Sequence, residues 1–364
     1  MAFELLSYTK PDFTKDCFEN APDAAVMPAP LDKTAPENYH ATTIFPEYFK
    51  MDGRWILAEE SRMDCVAVWE NEQVKVREFR NLKKGDLVFT GRTEKGEEGI
   101  FVYPDGFSEQ GSSRHDEAFS FRQRRSRETA FSRDYDHIYD LLRHEKEHGY
   151  VVWVMGPACA FDSDSREAFS KLVMNGYVDA LLAGNALATH DLEGAYLKTA
   201  LGQNIYTQQS QPGGHYNHID TINKVKQYGS IPAFIEGEKI KDGIIYSCVK
   251  KKVPFVLAGS IRDDGPLPEV YGNVYEAQDA MRRCVSKATT VICMATTLHS
   301  VATGNMTPSF RVLPDGTIRQ VYFYSVDISE FAVNKLGDRG SLSAKSIVTN
   351  VQDFVVNVSK GLEL

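Results

Sequence analysis

The second half of the chain alternates apolar runs with amphipathic ones, and this alternation constrains the fold more than any other feature. Between residues 134 and 364, the runs that predict strands are YVVWVM, YVDALLAG, VPFVLAG, TTVICMA, QVYFYSVD and AKSIVTN. Helices are predicted between them at Tyr135–His148 and at REAFSKLVMNG, DLEGAYLKTA, HIDTINKVKQYG, EGEKIKDGIIYSCVKK, VYEAQDAMRRCVSK, TLHSVATG, ISEFAVNKLGD and VQDFVVNVSK. Apolar strands that alternate with helices form a parallel sheet covered on both faces. Residues 134–364 are therefore predicted to form an α/β domain with a doubly wound, mostly parallel sheet.

The preceding residues have a different pattern of apolar and polar residues. Residues 28–112 are predicted to form a small β-domain of about five strands, because runs rich in Val, Ile, Phe and Tyr alternate with turn signals. These runs are RWILAEE, RMDCVAVW, QVKVREF, DLVFTGR and GIFVYP. Residues 1–27 are polar and are interpreted as an irregular extension, and residues 113–133 as an arginine-rich bridge. Such a bridge is usually a solvated linker, and binding of a carboxylate or phosphate is the alternative.

Charge and hydropathy exclude several classes of partner. The chain has 50 acidic and 41 basic side chains and a net charge of -9, which argues against nucleic-acid binding. Its longest apolar run, Val151 to Phe161, is interrupted by Gly156 and Pro157, so we expect no membrane span. The start MAFELLSYTKPDF has no basic-then-apolar order, so we expect no secretory signal. Six cysteines without a C-x-x-C pair indicate free thiols in the cytoplasm.

Small, polar and acidic residues follow five of the predicted strands. In an open parallel sheet, ligands bind beyond the carboxyl ends of the strands, so these residues are predicted to line a polar crevice. They include Gly156, Pro157, Asn185, Ser260, Arg262, Asp263, Asp264, His299, Gly304, Asn305, Thr307 and Asp327.

Each of these residues also has a purely structural interpretation. Gly156-Pro157 suits a tight turn, and Asn185 suits a helix N-cap. Asp327 suits a cap for the following helix, or a carboxylate that binds the hydroxyls of an adenosine ribose. His215 and His218 have a spacing that a shared metal would accept, but no third ligand is evident, and no metal is predicted.

The sequence contains neither G-x-G-x-x-G nor G-x-x-x-x-G-K-[ST], so a standard dinucleotide fingerprint and a P-loop are not supported. A bound dinucleotide would place its phosphates on helix N-termini and on turns. The turns available are Gly156-Pro157, Gly304-Asn305 and Gly213-Gly214. From the residues alone, the prediction is an α/β enzyme with a polar crevice and an unspecified reaction.

Several long stretches resemble one family. They include PAPLDKTAPENYHATTIFPEYFKMDGRWI, GYVDALLAGNALATHD, GGHYNHIDTIN, VPFVLAGSIRDDGPLPEV and TTLHSVATGNMTPS. The family is that of archaeal-type ornithine cyclodeaminases, also called the lysine-ketoglutarate reductase/saccharopine dehydrogenase-related conserved region. The same stretches resemble the C-terminal part of arginine dihydrolase–ornithine cyclodeaminase enzymes. By the same resemblance, the α/β domain is similar to the Rossmann-like nucleotide-binding fold of deoxyhypusine synthase, and an N-terminal subdomain of the family is expected to be missing here.

The resemblance implies an NAD-dependent ammonia-lyase that converts ornithine, or a close diamino acid, into a cyclic amino acid such as proline. NAD would be recycled within each turnover, and the enzyme would be a homo-oligomer acting on a small molecule. The implied catalytic residues are Asp263, Asp264, His299 and His215, and the implied substrate-binding residues are Arg262, Asn217 and His218. The implied cofactor-binding residues are Gly156, Pro157, Asn185, Gly213, Gly214, Ser260, Gly304, Asn305, Thr307 and Asp327.

Two alternatives remain open at this point. The first is an NAD-dependent dehydrogenase or lyase that acts on another amino acid, guanidino compound or amine. The second is a regulatory protein that binds a dinucleotide without turnover. The polar residues at the strand ends disfavour the second alternative, because a protein without turnover has no need to retain them.

Overall fold

The N-terminal part of the chain forms two antiparallel sheets. The computed structural model describes residues 5–107, 132–261, 263, 266–329 and 341–364. A short helix, α1 (Asp16–Glu19), precedes β1 (Ala25–Pro28), β2 (Glu47–Met51), β3 (Arg54–Leu57), β4 (Val66–Glu70), β5 (Gln73–Arg77), β6 (Leu87–Thr90) and β7 (Ile100–Val102). The sheets have the orders β1-β6-β4-β5 and β3-β2-β7. The five strands predicted here are all present, and β1 and β2 are additional.

β2 could not be predicted from the sequence, because this strand buries charged side chains. Glu47 is 0% exposed and Lys50 is 6% exposed. Glu47 Oε2 contacts His40 Nε2 at 3.0 Å, and Lys50 Nζ donates to three carbonyl oxygens of residues 18–21 at 2.7–3.0 Å. Buried charges are tolerated when they are paired and hydrogen-bonded in this way. β2 therefore lacks the apolar-polar alternation by which a strand is recognised.

The C-terminal part of the chain alternates helices and strands as predicted. Its first elements are α2 (Ser132–His148), β8 (Val151–Met155), α3 (Ser163–Met174), β9 (Ala180–Gly184), α4 (Asn185–Leu197), β10 (Thr199–Ala200), β11 (Gln203–Asn204), α5 (Asn217–Tyr228), α6 (Ile231–Gly237) and α7 (Ile244–Lys251). They are followed by β12 (Phe255–Ala258), β13 (Val270–Tyr271), α8 (Val274–Val285), β14 (Thr290–Met294), α9 (Thr297–Met306), β15 (Phe310–Val312), β16 (Ile318–Gln320), β17 (Tyr322–Asp327), β18 (Ser343–Val348) and α10 (Val351–Gly361). Among the described residues, no helix has both the length and the apolar character that crossing a bilayer requires.

A seven-stranded sheet organises this domain, and all of its strand pairs are parallel. The strand order is β13-β12-β9-β8-β14-β17-β18, which confirms the predicted doubly wound α/β fold. The chain proceeds outward from β8 to β13 and then returns to place β14 on the other side of β8. The boundary between β8 and β14 is therefore the topological switch point, where ligands bind in folds of this kind.

Side chains of the central strands alternate between two apolar cores. Trp153 and Ile292 face the core formed with α2, α3, α4, α7 and α10. Val152, Val154 and Val291 face the core formed with α8 and α9. Burial on both faces explains why these strands have continuous apolar sequences.

Two of the predicted helices differ from the structure or lie outside the residues it describes. The helix predicted at EGEKIKDGIIYSCVKK is wrong in its first half, since α7 begins only at Ile244. Gly243 has φ +116°, and a Cβ atom there would lie 2.7 Å from Arg166 Nη2, so the chain turns at this residue. The predicted helix at 328–338 and the bridge at 113–133 lie largely outside the described residues.

Ion pairs and hydrogen bonds join the N-terminal sheets to the α/β domain. Arg80 contacts Asp279 of α8 at 2.6 Å, and Glu78 contacts Arg282 of the same helix at 2.8 Å. The Ser309 N–H group also donates to the Ser61 carbonyl at 3.1 Å. The N-terminal sheets are thereby fixed to the helix that covers one face of the large sheet.

Candidate active site

A cavity of about 390 Å³ lies at the carboxyl end of the parallel sheet, at the switch point between β8 and β14. Four segments form its walls: the turn after β8, the end of β9 with the first turn of α4, the loop after β12, and the start of α9. Six of the residues predicted from the sequence line it: Gly156, Pro157, Asn185, Ser260, Asp263 and His299. Parallel strands bring these residues together although long segments of sequence separate them.

Two glycines at this edge are in tight contact with the residues between β14 and α9. A Cβ atom on Gly156 would lie 2.0 Å from the carbonyl oxygen of Ala295, and one on Gly184 would lie 3.0 Å from His299 Cε1. Ala295 itself has φ +49°, a conformation that non-glycine residues rarely adopt. The backbone is thus bent sharply between β14 and α9, where it packs against the turn after β8.

The first turns of α4 and α9 both border the cavity. The residues before them, Gly184 and Thr296, accept no backbone N–H group of these helices through a side chain. The first N–H groups of a helix lack partners within the helix and carry a partial positive charge. Two helix starts without a side-chain cap therefore offer donors for an anionic group, as pyrophosphate-binding sites do.

His299 is the half-buried imidazole of the cavity. Its Nδ1 lies 3.2 Å from Thr296 Oγ1. Burial lowers the pKa of His299 below its ordinary value, and the carboxylate of Asp263 opposes this in part. Asp263 is held by the Ser260 N–H group, which donates to its Oδ2 at 2.8 Å. At neutral pH the His299 ring is therefore uncharged and able to accept a proton.

Asn185 is not an N-cap, because Gly184 occupies that position and Asn185 is the first residue of α4. Its Oδ1 accepts the Leu267 N–H group at 3.0 Å and the Thr189 hydroxyl at 3.4 Å. A backbone N–H group can only donate, so this contact fixes the orientation of the amide. The Nδ2 group of Asn185 is left as a donor at the cavity wall.

Three residues predicted to bind the cofactor lie at the other end of α9. Gly304 and Asn305 belong to its last turn, so the prediction of a turn there is wrong. Thr307 is 1% exposed, and its hydroxyl donates to the Thr303 carbonyl at 2.7 Å. The C-terminal end of a helix carries a partial negative charge, which disfavours phosphate.

A second group of predicted residues lies at the start of α5 and is absent from the described walls of the cavity. Gly213 has φ +71°, and a Cβ atom on Gly214 would lie 2.4 Å from the Gly202 carbonyl oxygen, so backbone packing explains these glycines. His215 is exposed and its ring packs on Tyr216.

The next two predicted residues are more buried. Asn217 Nδ2 donates to Thr199 Oγ1 at 2.8 Å. His218 Nδ1 is buried and makes no hydrogen bond within the described part of the chain. The described residues contain no group of three His, Cys, Asp or Glu side chains arranged to hold a metal.

Asp327 ends β17, and its carboxylate accepts the Ser329 N–H group at 2.9 Å, as in a capped turn. A carboxylate has further acceptor positions, so this contact is compatible with ribose binding as well. Arg262 and Asp264 lie outside the described residues, and their roles remain predictions.

The site prediction omitted one buried pair on α4, His190 and Glu193. Their side chains meet at 3.0 Å, and Glu193 is 0% exposed. The available signal was a histidine and a glutamate three residues apart within a segment, LATHDLEGA, that is otherwise mostly apolar. Only the structure reveals that both face the protein interior.

Two family models match the sequence of this chain. Residues 137–358 match the family model described as arginine dihydrolase ArgZ-like, C-terminal, Rossmann fold. Residues 46–128 match the model of the first region of the same C-terminal part. The chain belongs to the ArgZ-like C-terminal family. Its α/β domain and most of its N-terminal sheets correspond to the two regions of that family.

Relatives of this ArgZ-like chain include enzymes from archaea and cyanobacteria. The ornithine cyclodeaminase of Methanocaldococcus jannaschii is 37% identical over 350 residues, covering 94% of this chain and 78% of the relative. The bifunctional arginine dihydrolase/ornithine cyclodeaminase AgrE of Nostoc sp. is 32% identical over 346 residues. That match covers 94% of this chain and 47% of AgrE.

Solved structures show the same relationship for the ArgZ-like chain. A conserved LOR/SDH protein from Methanococcus maripaludis S2 superimposes with a TM-score of 0.84 at 37% identity, covering 94% of this chain and 98% of that one. The ternary complex of AgrE with ornithine and NAD+ superimposes with a TM-score of 0.60 at 31% identity. In that case the match covers 94% of this chain and 46% of AgrE.

Proposed function

We propose that this chain is an NAD-dependent enzyme of the ornithine cyclodeaminase type. It would convert ornithine, or a close diamino acid, into a cyclic amino acid such as proline and release ammonia. One observation carries the proposal: a cavity at the sheet's switch point combines two uncapped helix starts with a neutral, half-buried histidine. Relatives named ornithine cyclodeaminase, and the complex of AgrE with ornithine and NAD+, support it.

The residues of the cavity suit NAD. The N–H groups at the starts of α4 and α9 would hold the pyrophosphate, and Gly156 lets the turn after β8 pack directly against the bend before α9. Asp327 would accept hydrogen bonds from a ribose, and Asn185 Nδ2 would donate to an amide or carboxylate oxygen. When bound, NAD+ supplies a hydride acceptor that returns the hydride within the same turnover.

His299 would act as the base for the α-amine of the substrate. An ammonium group has no free electron pair, so it must lose a proton before Cα can be oxidised. The neutral ring of His299 can accept that proton, and Thr296 orients the ring through its contact at Nδ1. Asp263 would then stabilise the charged ring, since its carboxylate favours the protonated form.

The proposal includes assembly into a homo-oligomer and a cytoplasmic location. Leu298 and Ile261 are 73% and 111% exposed at the cavity walls, an apolar surface that a second copy would cover. All six cysteines lie within the described residues and are free thiols, as expected of a reducing compartment.

The test uses the purified chain, NAD+ and ornithine. We expect ammonia and proline to form in equal amounts without net accumulation of NADH. A net dehydrogenase would accumulate NADH in proportion to the product, and a regulatory protein would bind NAD+ without releasing ammonia. Other diamino acids, guanidino compounds and amines serve as the comparison substrates.

A further inference from the structure

A buried chain of hydrogen bonds runs from α5 to the middle of α4, and its direction is fixed. Asn217 Nδ2 donates to Thr199 Oγ1 at 2.8 Å, so the Thr199 hydroxyl donates its own hydrogen to Glu193 Oε1, also at 2.8 Å. The Gly202 N–H group lies 3.4 Å from the same oxygen. Glu193 Oε1 is thereby held as an acceptor by two donors of the β10-β11 hairpin.

This arrangement determines which ring nitrogen of the neighbouring His190 carries the proton. Glu193 Oε2 lies 3.0 Å from His190 Nδ1, and an ionised carboxylate only accepts hydrogen bonds. His190 therefore carries its proton on Nδ1, which leaves the electron pair on Nε2 free. Among the described residues, Nε2 has no hydrogen-bond partner, although the residue is only 8% exposed. A base oriented by a buried carboxylate is the arrangement found in activated catalytic sites.

His190 lies one helical turn beyond a residue that lines the cavity described above. Ala186 lines the cavity wall, and His190 follows it by four residues on the same face of α4. The ring of His190 packs against Phe161 at 5.3 Å between centroids, and Phe161 directly follows the short helix that starts with the cavity residue Pro157.

A second imidazole with an unused nitrogen lies close to His190. The centroid of His218 is 6.1 Å from that of His190, and its buried Nδ1 also lacks a described partner. Buried polar atoms are nearly always hydrogen-bonded in native proteins. The unsatisfied Nδ1 of His218, close to His190, therefore indicates a polar group supplied from outside the chain.

We infer that His190 is a second catalytic base, which deprotonates the distal amine of a diamino acid, and that Glu193 is its positioning residue. This inference rests on the proposed function and extends it. Aliphatic amines have a pKa of about 10, so the distal nitrogen arrives as an ammonium group without a free electron pair. Ring closure needs that electron pair, and His299 is already occupied with the α-amine.

The step balances without an oxidant. Once the α-nitrogen is part of an iminium group, His190 Nε2 removes a proton from the distal ammonium, whose electron pair forms the ring bond to Cα. The ring nitrogen then loses a second proton, and one proton passes through His190 to the α-nitrogen. The bond from Cα to the α-nitrogen breaks, ammonia leaves with the electrons of that bond and takes up the other proton to become ammonium, and the electron pair of the ring nitrogen forms the new double bond to Cα.

The experiment separates the two halves of the reaction with His190→Gln. The variant enzyme, NAD+ and ornithine are mixed rapidly, and NADH absorbance and ammonium release are followed together. We expect NADH to form and persist, while ammonium release falls about a hundredfold or more. The affinity for NAD+, measured by fluorescence titration, is expected to stay unchanged. His148→Gln is the matched control, because that side chain is 62% exposed at the end of α2.

Further variants distinguish a base from a structural residue. Glu193→Gln should slow ammonium release and leave NADH formation intact, and added imidazole should restore turnover to His190→Ala. If these variants do not fold, nitrogen NMR of the wild-type ring decides: ornithine and NAD+ together must place a proton on Nε2.

The outcomes are distinct. Wild-type ammonium release by His190→Gln, or an Nε2 that stays unprotonated, overturns the inference and leaves the proposed function intact. A variant that binds NAD+ but forms no NADH also overturns it, since His190 would then act before ring closure. A wild-type chain that neither reduces NAD+ nor releases ammonium overturns the proposed function and this inference together.

Discussion

Gly184 and His299 meet across the cavity, and the imidazole occupies the space that a methyl group on residue 184 would need. Gly184 has φ -102°, which alanine adopts without strain, so Gly184→Ala tests steric contact alone. The added Cβ atom would lie 3.0 Å from His299 Cε1, so the ring must shift by a few tenths of an ångström. A shift of about 1 Å in a catalytic group costs about a hundredfold in rate, so we expect this smaller shift to lower kcat by up to about tenfold.

The control for this variant is Gly272→Ala, because a Cβ atom there meets nothing within 4 Å. Both variants should keep the wild-type unfolding temperature. Unchanged kcat in Gly184→Ala would show that the position of His299 is not critical for the reaction.

Asn185→Asp is expected to weaken nucleotide binding without weakening the fold. The aspartate keeps an acceptor for the Leu267 N–H group, and an acidic residue in the first turn favours the helix. The donor at the cavity wall becomes a negative charge, which repels an anionic ligand. A tenfold loss of affinity corresponds to about 1.4 kcal/mol, and we expect at least this in a fluorescence titration with NAD+. Gln203→Glu, which changes an exposed amide in the same way, should leave the affinity unchanged.

Asp263→Asn should lower the pKa of His299 further. Burial lowers this pKa, and the Asp263 carboxylate opposes the effect by favouring the charged ring. Without the carboxylate, the ring keeps its neutral form to lower pH, and its NMR titration midpoint moves in the acid direction. Asp164→Asn, an exposed change in the first turn of α3, is the control. A midpoint that rises in Asp263→Asn contradicts the described electrostatics.

His137 should make the fold sensitive to acid. Its Nδ1 lies 2.8 Å from the Tyr324 hydroxyl, and burial together with the charge of Lys345 lowers its pKa from 6.5 to about 4, against the opposing effect of Asp134 and Asp140. The unfolded chain binds this proton first, so the stabilising contribution is complete above pH 6.5 and is lost as the pH falls toward about 4.

Urea unfolding of His137→Gln across this range is the measurement. The free energy of unfolding of the variant should fall less steeply with acid than that of the wild type. An equal slope in the two proteins would mean that His137 does not titrate between these limits.

The sheet could be predicted because each central strand is buried on both faces. Val152 and Trp153 are adjacent in the sequence and face opposite cores, so both must be apolar and the run is unmistakable. The start of α7 could not be predicted, because Asp191 defines it. Its carboxylate accepts the N–H groups of Ile244 and Ile245, a contact between residues that are far apart in the sequence.

Site residues could be predicted from the sequence where they directly follow a strand. Gly156, Asn185, Asp263 and His299 each follow a strand, and all four line the cavity. The prediction that Gly304 and the residues after it lie at the site was wrong for a different reason. The helix after β14 continues beyond Gly304, which places these residues away from the carboxyl end of the sheet. A sequence pattern indicates where a helix starts more reliably than where it ends.

The walls of the cavity come from four segments spread between Met155 and His299, instead of one contiguous loop. A fragment that contains only β8, β9 and α4 would therefore carry about half of the residues that line the cavity, and it would bind a dinucleotide weakly. Only the assembled sheet, with β14 inserted beside β8, presents the whole set. Binding of the proposed coenzyme would therefore require the assembled sheet, and occupancy should protect the entire α/β domain from proteolysis as a single unit.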